Sequence, residues 1–259
     1  MITRLHIKGF KNFVDAQFHF GPFNCIAGLN GVGKSNLFDA IQFLSSLADR
    51  PFVEAAKSIR GGDDVLQLRC GNEPGPIEFD LDMIISQEGT DEFNQPAIAG
   101  STYLNYILKF EVRISNEAGY SRTKLELVRE ELNGYTLSHA TKELRFRPSR
   151  EWVKSVVKAG TRVRSYIRSK EDRIELQADR MKVANKKWRG GGKPTLFNTS
   201  GLPRSVLSSA QNADENRTAV LVRKEMRSWK QLQLEPSSLG QADDFDAPRH
   251  VDRTGAHIP

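Results

Sequence analysis

The stretch that most constrains this chain is Gly28 to Ser35, GLNGVGKS, which fits G-x-x-x-x-G-K-[ST] with Gly28, Gly33, Lys34 and Ser35 at the fixed positions. Each has a physical task. Glycines let the backbone turn tightly and bring its N–H groups close to phosphate oxygens, a cradle that a Cβ obstructs. Lys34 then reaches the β- and γ-phosphates, and the Ser35 hydroxyl ligates Mg2+. A helix that begins there adds the positive end of its dipole to the same anion. The flanks agree. Phe23 to Ala27 (FNCIA) reads as a short buried strand, and Leu37, Ala40, Ile41, Leu44 and Leu47 recur at helical spacing after Lys34. Strand, glycine loop and amphipathic helix in that order predict an α/β fold whose loop binds a nucleoside triphosphate with Mg2+.

At 259 residues the chain is long enough for one large domain or two small ones. It has no run of about eighteen apolar residues, and MITRLHIKGF carries no apolar leader core. Its two cysteines, Cys25 and Cys70, read as buried reduced thiols. A cytoplasmic protein with no membrane partner is the expectation. The net charge of +6 is unevenly spread, about −7 over residues 51–140 and about +11 over residues 141–200. Phe146, Trp152, Tyr166 and Trp188 are interleaved in the basic stretch, as in a nucleic-acid groove, although a solvated cationic connector has the same composition. Lys186, Lys187 and Arg189 are the candidates for DNA contact within it.

Ile2 to Gly9 predicts an edge strand. Val14 to Phe20 alternates Val14, Ala16, Phe18 and Phe20 against Asp15, Gln17 and His19, with a turn over Gly9 to Phe13. His6 and His19 fall on the polar phase and read as surface histidines. Residues 77–86, 103–114 and 123–137 predict an antiparallel β subdomain, the last as a strand pair turning at Asn133-Gly134. Gln87 to Ser101 reads as an exposed loop. IEFDLD has a polar residue at every second position, so it is no Walker B strand, and Asp80 and Asp82 are no metal pair. Arg173 to Arg180 reads as a strand, residues 194–212 as loops and turns, and Ala213 to Trp229 as a helix with Ala219, Val220, Val222 and Met226 inward. Leu232 to Pro236 reads as a last strand. The predicted regions are a Walker A lobe with the β subdomain (1–140), a basic mixed helical and strand region (141–200), and a helix–strand segment leading to a truncated end (201–259).

A short strand ending in I-K-G-F-K-N-F, a second strand, and then G-x-N-G-x-G-K-S-N-L-x-D-A-I resembles the opening of the SMC/RecF-type ATPases. That ABC-related branch includes the overcoming-lysogenisation-defect (OLD) nucleases and AAA-type bacterial defence ATPases. The residues that carry the resemblance are Phe10, Lys11, Asn12, Gly28, Asn30, Gly31, Gly33, Lys34, Ser35, Asn36, Asp39, Ala40 and Ile41. It implies an ABC/RecF-type head in which Lys11 and Asn12 lie near the base or phosphates. Gly28, Asn30, Gly31 and Gly33 then supply or flank the phosphate cradle, Lys34 is the catalytic lysine, Ser35 holds Mg2+, and Asn36 and Asp39 brace the helix start. Arg60, in the glycine-containing loop after the first helix, is implied to contact nucleotide or DNA; an ordinary surface turn is the alternative. The implied partners are a second head in an ATP-sandwiched homodimer, DNA, and an effector such as a nuclease domain or chain, in repair or anti-phage defence.

Leu207 to Gln211 (LSSAQ) resembles the ABC signature but lacks both of its glycines. With neither a signature nor a Walker B strand visible, the chain reads as the N-terminal portion of a longer ATPase. A non-hydrolysing ATP sensor for a partner effector is the alternative. An unrelated P-loop kinase or GTPase is disfavoured, because no N-K-x-D guanine reader appears and Asn185-Lys186-Lys187-Trp188 lacks its aspartate.

Overall fold

The structure, a computed structural model, describes residues 1–71, 75–117, 120–160, 162–179, 181–182, 188–189 and 193–232. β1 (Ile2–Phe10) and β2 (Phe13–His19) form a hairpin that turns at Lys11 and Asn12. α1 (Lys34–Leu47) and α2 (Phe52–Lys57) follow. Next come β3 (Ile77–Ile84), the small hairpin β4 (Glu88–Thr90) and β5 (Pro96–Ile98), and the long hairpin β6 (Tyr103–Glu117) and β7 (Tyr120–Gly134). α3 (Leu137–Glu143) and α4 (Arg150–Val156) precede β8 (Arg164–Lys170), β9 (Arg173–Leu176), β10 (Met181–Lys182), β11 (Trp188–Arg189) and β12 (Thr195–Asn198). α5 (Ala213–Ser228) is the last described element.

Eight strands make one antiparallel sheet in the order β12-β9-β8-β7-β6-β3-β1-β2. The period of two explains its faces. Leu5 and Ile7 of β1 lie across from Leu81 and Phe79 of β3, which lie across from Tyr106 and Leu108 of β6; all six are buried. Arg4, His6 and Lys8 line the opposite face across from Asp82, Asp80 and Glu78. There Arg4 pairs with Asp80 at 2.7 Å and Asp82 at 2.6 Å, Asn105 donates to both carboxylates, and Tyr135 donates to Asp82. Asp80 and Asp82 are thus spent on an internal network.

α1 lays Leu37, Ala40, Phe43, Leu44 and Leu47 on the apolar face, with Phe43 among Phe10, Phe79 and Phe110 at ring distances of 5.8–6.1 Å. Ala219, Val220, Val222 and Met226 of α5 are buried, as their spacing predicts.

Several expectations are corrected. β1 is an interior strand between β2 and β3, and β2 is the edge. Asn133-Gly134 forms no hairpin turn: β7 runs unbroken to Gly134, because those two residues pair with β6 on one side and β8 on the other. Residues 87–101 are not a bare loop. They contain the β4–β5 hairpin against α5, with Ala97 and Ala99 buried. Residues 194–212 contain β12 and a 3-10 turn over Leu207–Ser209.

Phe23 to Ala27 forms no strand and is exposed, with Phe23 at 88%. A buried parallel strand needs a neighbour on each side, and no described strand lies beside this one. Cys25 is therefore exposed and Cys70 half-buried, so neither is the buried thiol expected. The strand expected over Leu232 to Pro236 lies, past Leu232, outside the described residues. Among the described residues no helix is long and apolar enough to cross a membrane.

Candidate nucleotide site at the start of the first helix

The loop before α1 is shaped by two left-handed residues, Gly31 at φ 82° and Gly33 at φ 111°. L side chains rarely adopt that region. At Gly33 a second demand adds to the first, since a Cβ there would lie 2.5 Å from Asn12 Nδ2. Lys34 curls back over the loop, donating from Nζ to the carbonyls of Gly28 (2.5 Å) and Leu29 (2.7 Å). Asn30 and Ser35 are exposed, Ser35 on the first turn of α1. A single hydroxyl suits Mg2+, which keeps most of its shell as water and phosphate oxygens and takes only one or two protein ligands.

The β1–β2 turn and the loop after α2 close in on this helix start. Asn12 Nδ2 donates to the Val32 carbonyl at 3.3 Å, and Asn36 Nδ2 donates to Asn12 Oδ1 at 2.8 Å. Lys11, at φ 51°, donates from Nζ to Asp39 Oδ2 at 2.6 Å and to the Arg60 carbonyl at 2.7 Å. Arg60 Nη2 donates to the same carboxylate oxygen at 2.7 Å, and that hydrogen bond holds its guanidinium further above its ordinary pKa. Lys11, Asn12, Gly33, Lys34, Asn36 and Arg60, singled out from sequence, are thereby assembled around one helix N-terminus. The cluster holds Lys11, Lys34 and Arg60 against the single carboxylate of Asp39. With the helix dipole, this is an arrangement that attracts an anion.

Other candidates do not converge here. Lys186 and Lys187 lie outside the described residues. Arg189 belongs to the separate β10–β11 ladder, which no described contact links to the loop. Of the aromatics expected to stack on bases, Tyr166 is buried. Phe146 and Trp152 pack edge to face at 5.4 Å against a small core of Ile84, Tyr103, Leu144, Val153 and Val157. Within LSSAQ, Leu207, Ser208 and Ala210 are buried, and the N–H groups of Leu207 and of Val206 before it donate to Glu130. Backbone donors engaged in this way have no phosphate to reach.

Glu130 itself gave no sequence signal. A shift of register between Lys109 and Phe110 of β6 moves β7 out of phase, so that Glu130 joins Leu132 on the core face.

A glycine loop with two left-handed residues, a lysine that closes it and a helix that starts at that lysine together define the P-loop class. Residues 1–59 match the model of the RecF/RecN/SMC N terminal domain. The proteins similar to this chain include the DNA replication and repair protein RecF of Porphyromonas gingivalis, 39% identical over 70 residues, covering 27% of this chain and 19% of that protein. RecF of Acaryochloris marina is 28% identical over 100 residues, covering 38% and 27%. RecF of Trichodesmium erythraeum is 27% identical over 129 residues, covering 49% and 32%. The N-terminal region of the chain is thus similar to that of SMC/RecF-type ATPases. The matches span between 19% and 32% of the length of these relatives.

Proposed function

We propose that the chain binds ATP with Mg2+ on the Gly28–Ser35 loop and serves as the Walker A part of a RecF/SMC-like ATPase head acting with DNA. The observation that carries this is the loop itself: left-handed Gly31 and Gly33 lead into a helix that begins at Lys34. In this reading the Lys34 ammonium leaves the carbonyls of Gly28 and Leu29 for the β- and γ-phosphates, and Ser35 holds the metal. Mg2+ supplies neutralisation of phosphate charge, and the protein's share is positioning and electrostatic stabilisation. Phe23, Ile26, Leu29 and Val32 are exposed around the loop, which favours a head that is covered by a second head when ATP is bound. Exposed Arg145, Arg147, Arg150 and Lys154 on and beside α4 favour a polyanion partner. Repair of DNA, the role in the relatives' name, and anti-phage defence with a nuclease effector are both compatible with such a head, in the cytoplasm.

The second reading, an ATP sensor without turnover, is favoured by one observation. Asp39 is the one acid in the described contacts of the cluster, and it is engaged by two cations. The test is calorimetric titration of ATP in the presence of Mg2+. Lys34→Ala is expected to weaken binding at least about a hundredfold, through loss of a charge-assisted contact and of loop closure. Unchanged affinity in that variant overturns the site. Phosphate release by the wild type then separates ATPase from sensor.

A further inference from the structure

We propose that the acidic stretch Glu235–Asp246 of this chain lies over the cationic surface of α3 and α4 and competes there with a polyanion. This rests on the reading of that surface as the DNA contact. Lys142, Arg145, Arg147, Arg150 and Lys154 are exposed on α3, on α4 and on the link between them. Over residues 142–154 the acids are Glu143 and Glu151, so cations outnumber them five to two. Elsewhere exposed cations are matched by acids, as Arg113 is by Glu126 and Lys170 by Glu175, each at 3.0 Å. Among the described residues none of these five makes an ion pair. The surface is built for an anion that the described fold does not supply.

A complementary stretch is present in the same chain. Residues 233–247, outside the described residues, carry Glu235, Asp243, Asp244 and Asp246 and no cation. The match extends to pattern. Asp244-Phe245-Asp246 sets an aromatic between two acids, and Arg145-Phe146-Arg147 sets one between two cations. Phe146 and Trp152 are half-buried there, edge to face at 5.4 Å, so a third ring has apolar surface to meet. The chain also leaves the described fold beside α4. Trp229 Nε1, just past α5, donates to Glu225 at 3.0 Å, and Glu225 pairs with the Met1 ammonium. Met1 exchanges main-chain hydrogen bonds of 2.7 and 2.8 Å with Ile84, which packs with Val153 and Val157 at α4. Eleven residues lead from Leu232 to Asp243, a reach of about 36 Å when extended, so the acids can arrive at α4.

A short fluorescein-labelled duplex DNA is titrated at low salt into the full chain and into Asp243→Asn/Asp244→Asn/Asp246→Asn. A control, Glu54→Gln/Asp63→Asn/Glu171→Gln, neutralises three exposed acids on other elements. All three are repeated with Arg147→Ala/Arg150→Ala, and urea unfolding of each checks folding. The acidic-stretch variant is expected to bind about tenfold tighter, the gain when about nine molecules in ten hold the surface covered. The control is expected to gain less than about twofold. The difference shrinks at high salt and disappears with Arg147→Ala/Arg150→Ala. In the wild type, a water-soluble carbodiimide is expected to join Lys142 or Lys154 to Asp243, Asp244 or Asp246, read by mass spectrometry of the digested protein. Equal tightening in the control, or absence of that crosslink, overturns the inference; the DNA reading stands where Arg147→Ala/Arg150→Ala still weakens binding. DNA affinity that this pair leaves unmoved, in the wild type and in the acidic-stretch variant alike, overturns both.

Discussion

Glu130 is fully buried on β7 and accepts hydrogen bonds from Val206 N (2.7 Å), Leu207 N (2.8 Å) and Tyr106 Oη (2.8 Å). Burial pushes its carboxyl up to about 7 from 4.5, outweighing the three donors that favour the charged form. The folded state therefore holds this proton more tightly than the unfolded chain. Its contribution to stability is fully present below about pH 4.5 and is lost as pH rises through 7. The loss is on the order of 3 kcal/mol, since one pKa unit corresponds to about 1.4 kcal/mol. Urea unfolding is expected to show stability falling across this window, with a flatter profile in Glu130→Gln. An identical slope in the variant would assign the dependence to other groups. At this scale sequence reasoning failed for a definite reason. An acid in a strand of alternating polarity reads as exposed, and only the register shift opposite it reverses the face.

α1 shows why an element is easier to read than a residue. Its apolar positions repeat at helical spacing and its glycine loop marks its start, so both its extent and its inner face follow from local pattern. Its inner face centres on Phe43, which touches three aromatic rings contributed by β1, β3 and β6. Phe43→Ala is expected to cost about 3–5 kcal/mol, the range for a buried aromatic truncated in a core that relaxes incompletely. Chemical denaturation checks this, and a loss under about 1 kcal/mol would mean that α1 is not seated on the sheet as described. β7 is the counter-example. Asn133-Gly134 has the chemistry of a tight turn, yet the pair continues a strand because tertiary neighbours on both sides supply ladder partners.

For the molecule as a whole, the informative region is the exposed Phe23 to Val32. Phe23, Leu29 and Val32 are all largely solvent-facing, so Phe23→Ser is expected to leave unfolding stability within about 0.5 kcal/mol of the wild type. A loss of 2 kcal/mol or more, measured by thermal or urea unfolding, would place that segment in a packed layer. The sequence by itself determined the glycine loop, the helix after it, the antiparallel strands and the alternation of their faces. Each of these follows from short-range spacing and from the stereochemistry of single residues. It also named Lys11, Asn12, Asn36 and Arg60 individually. Only the tertiary structure decided that Asp39 ties Lys11 and Arg60 together, that Tyr166 is core, and that Phe146 and Trp152 pack against a small core. It alone decided that Leu207 is fastened to Glu130 and that FNCIA lies outside the described sheets. Those outcomes depend on which distant segments arrive at the same place, and burial and pairing are properties of that meeting rather than of the local chain.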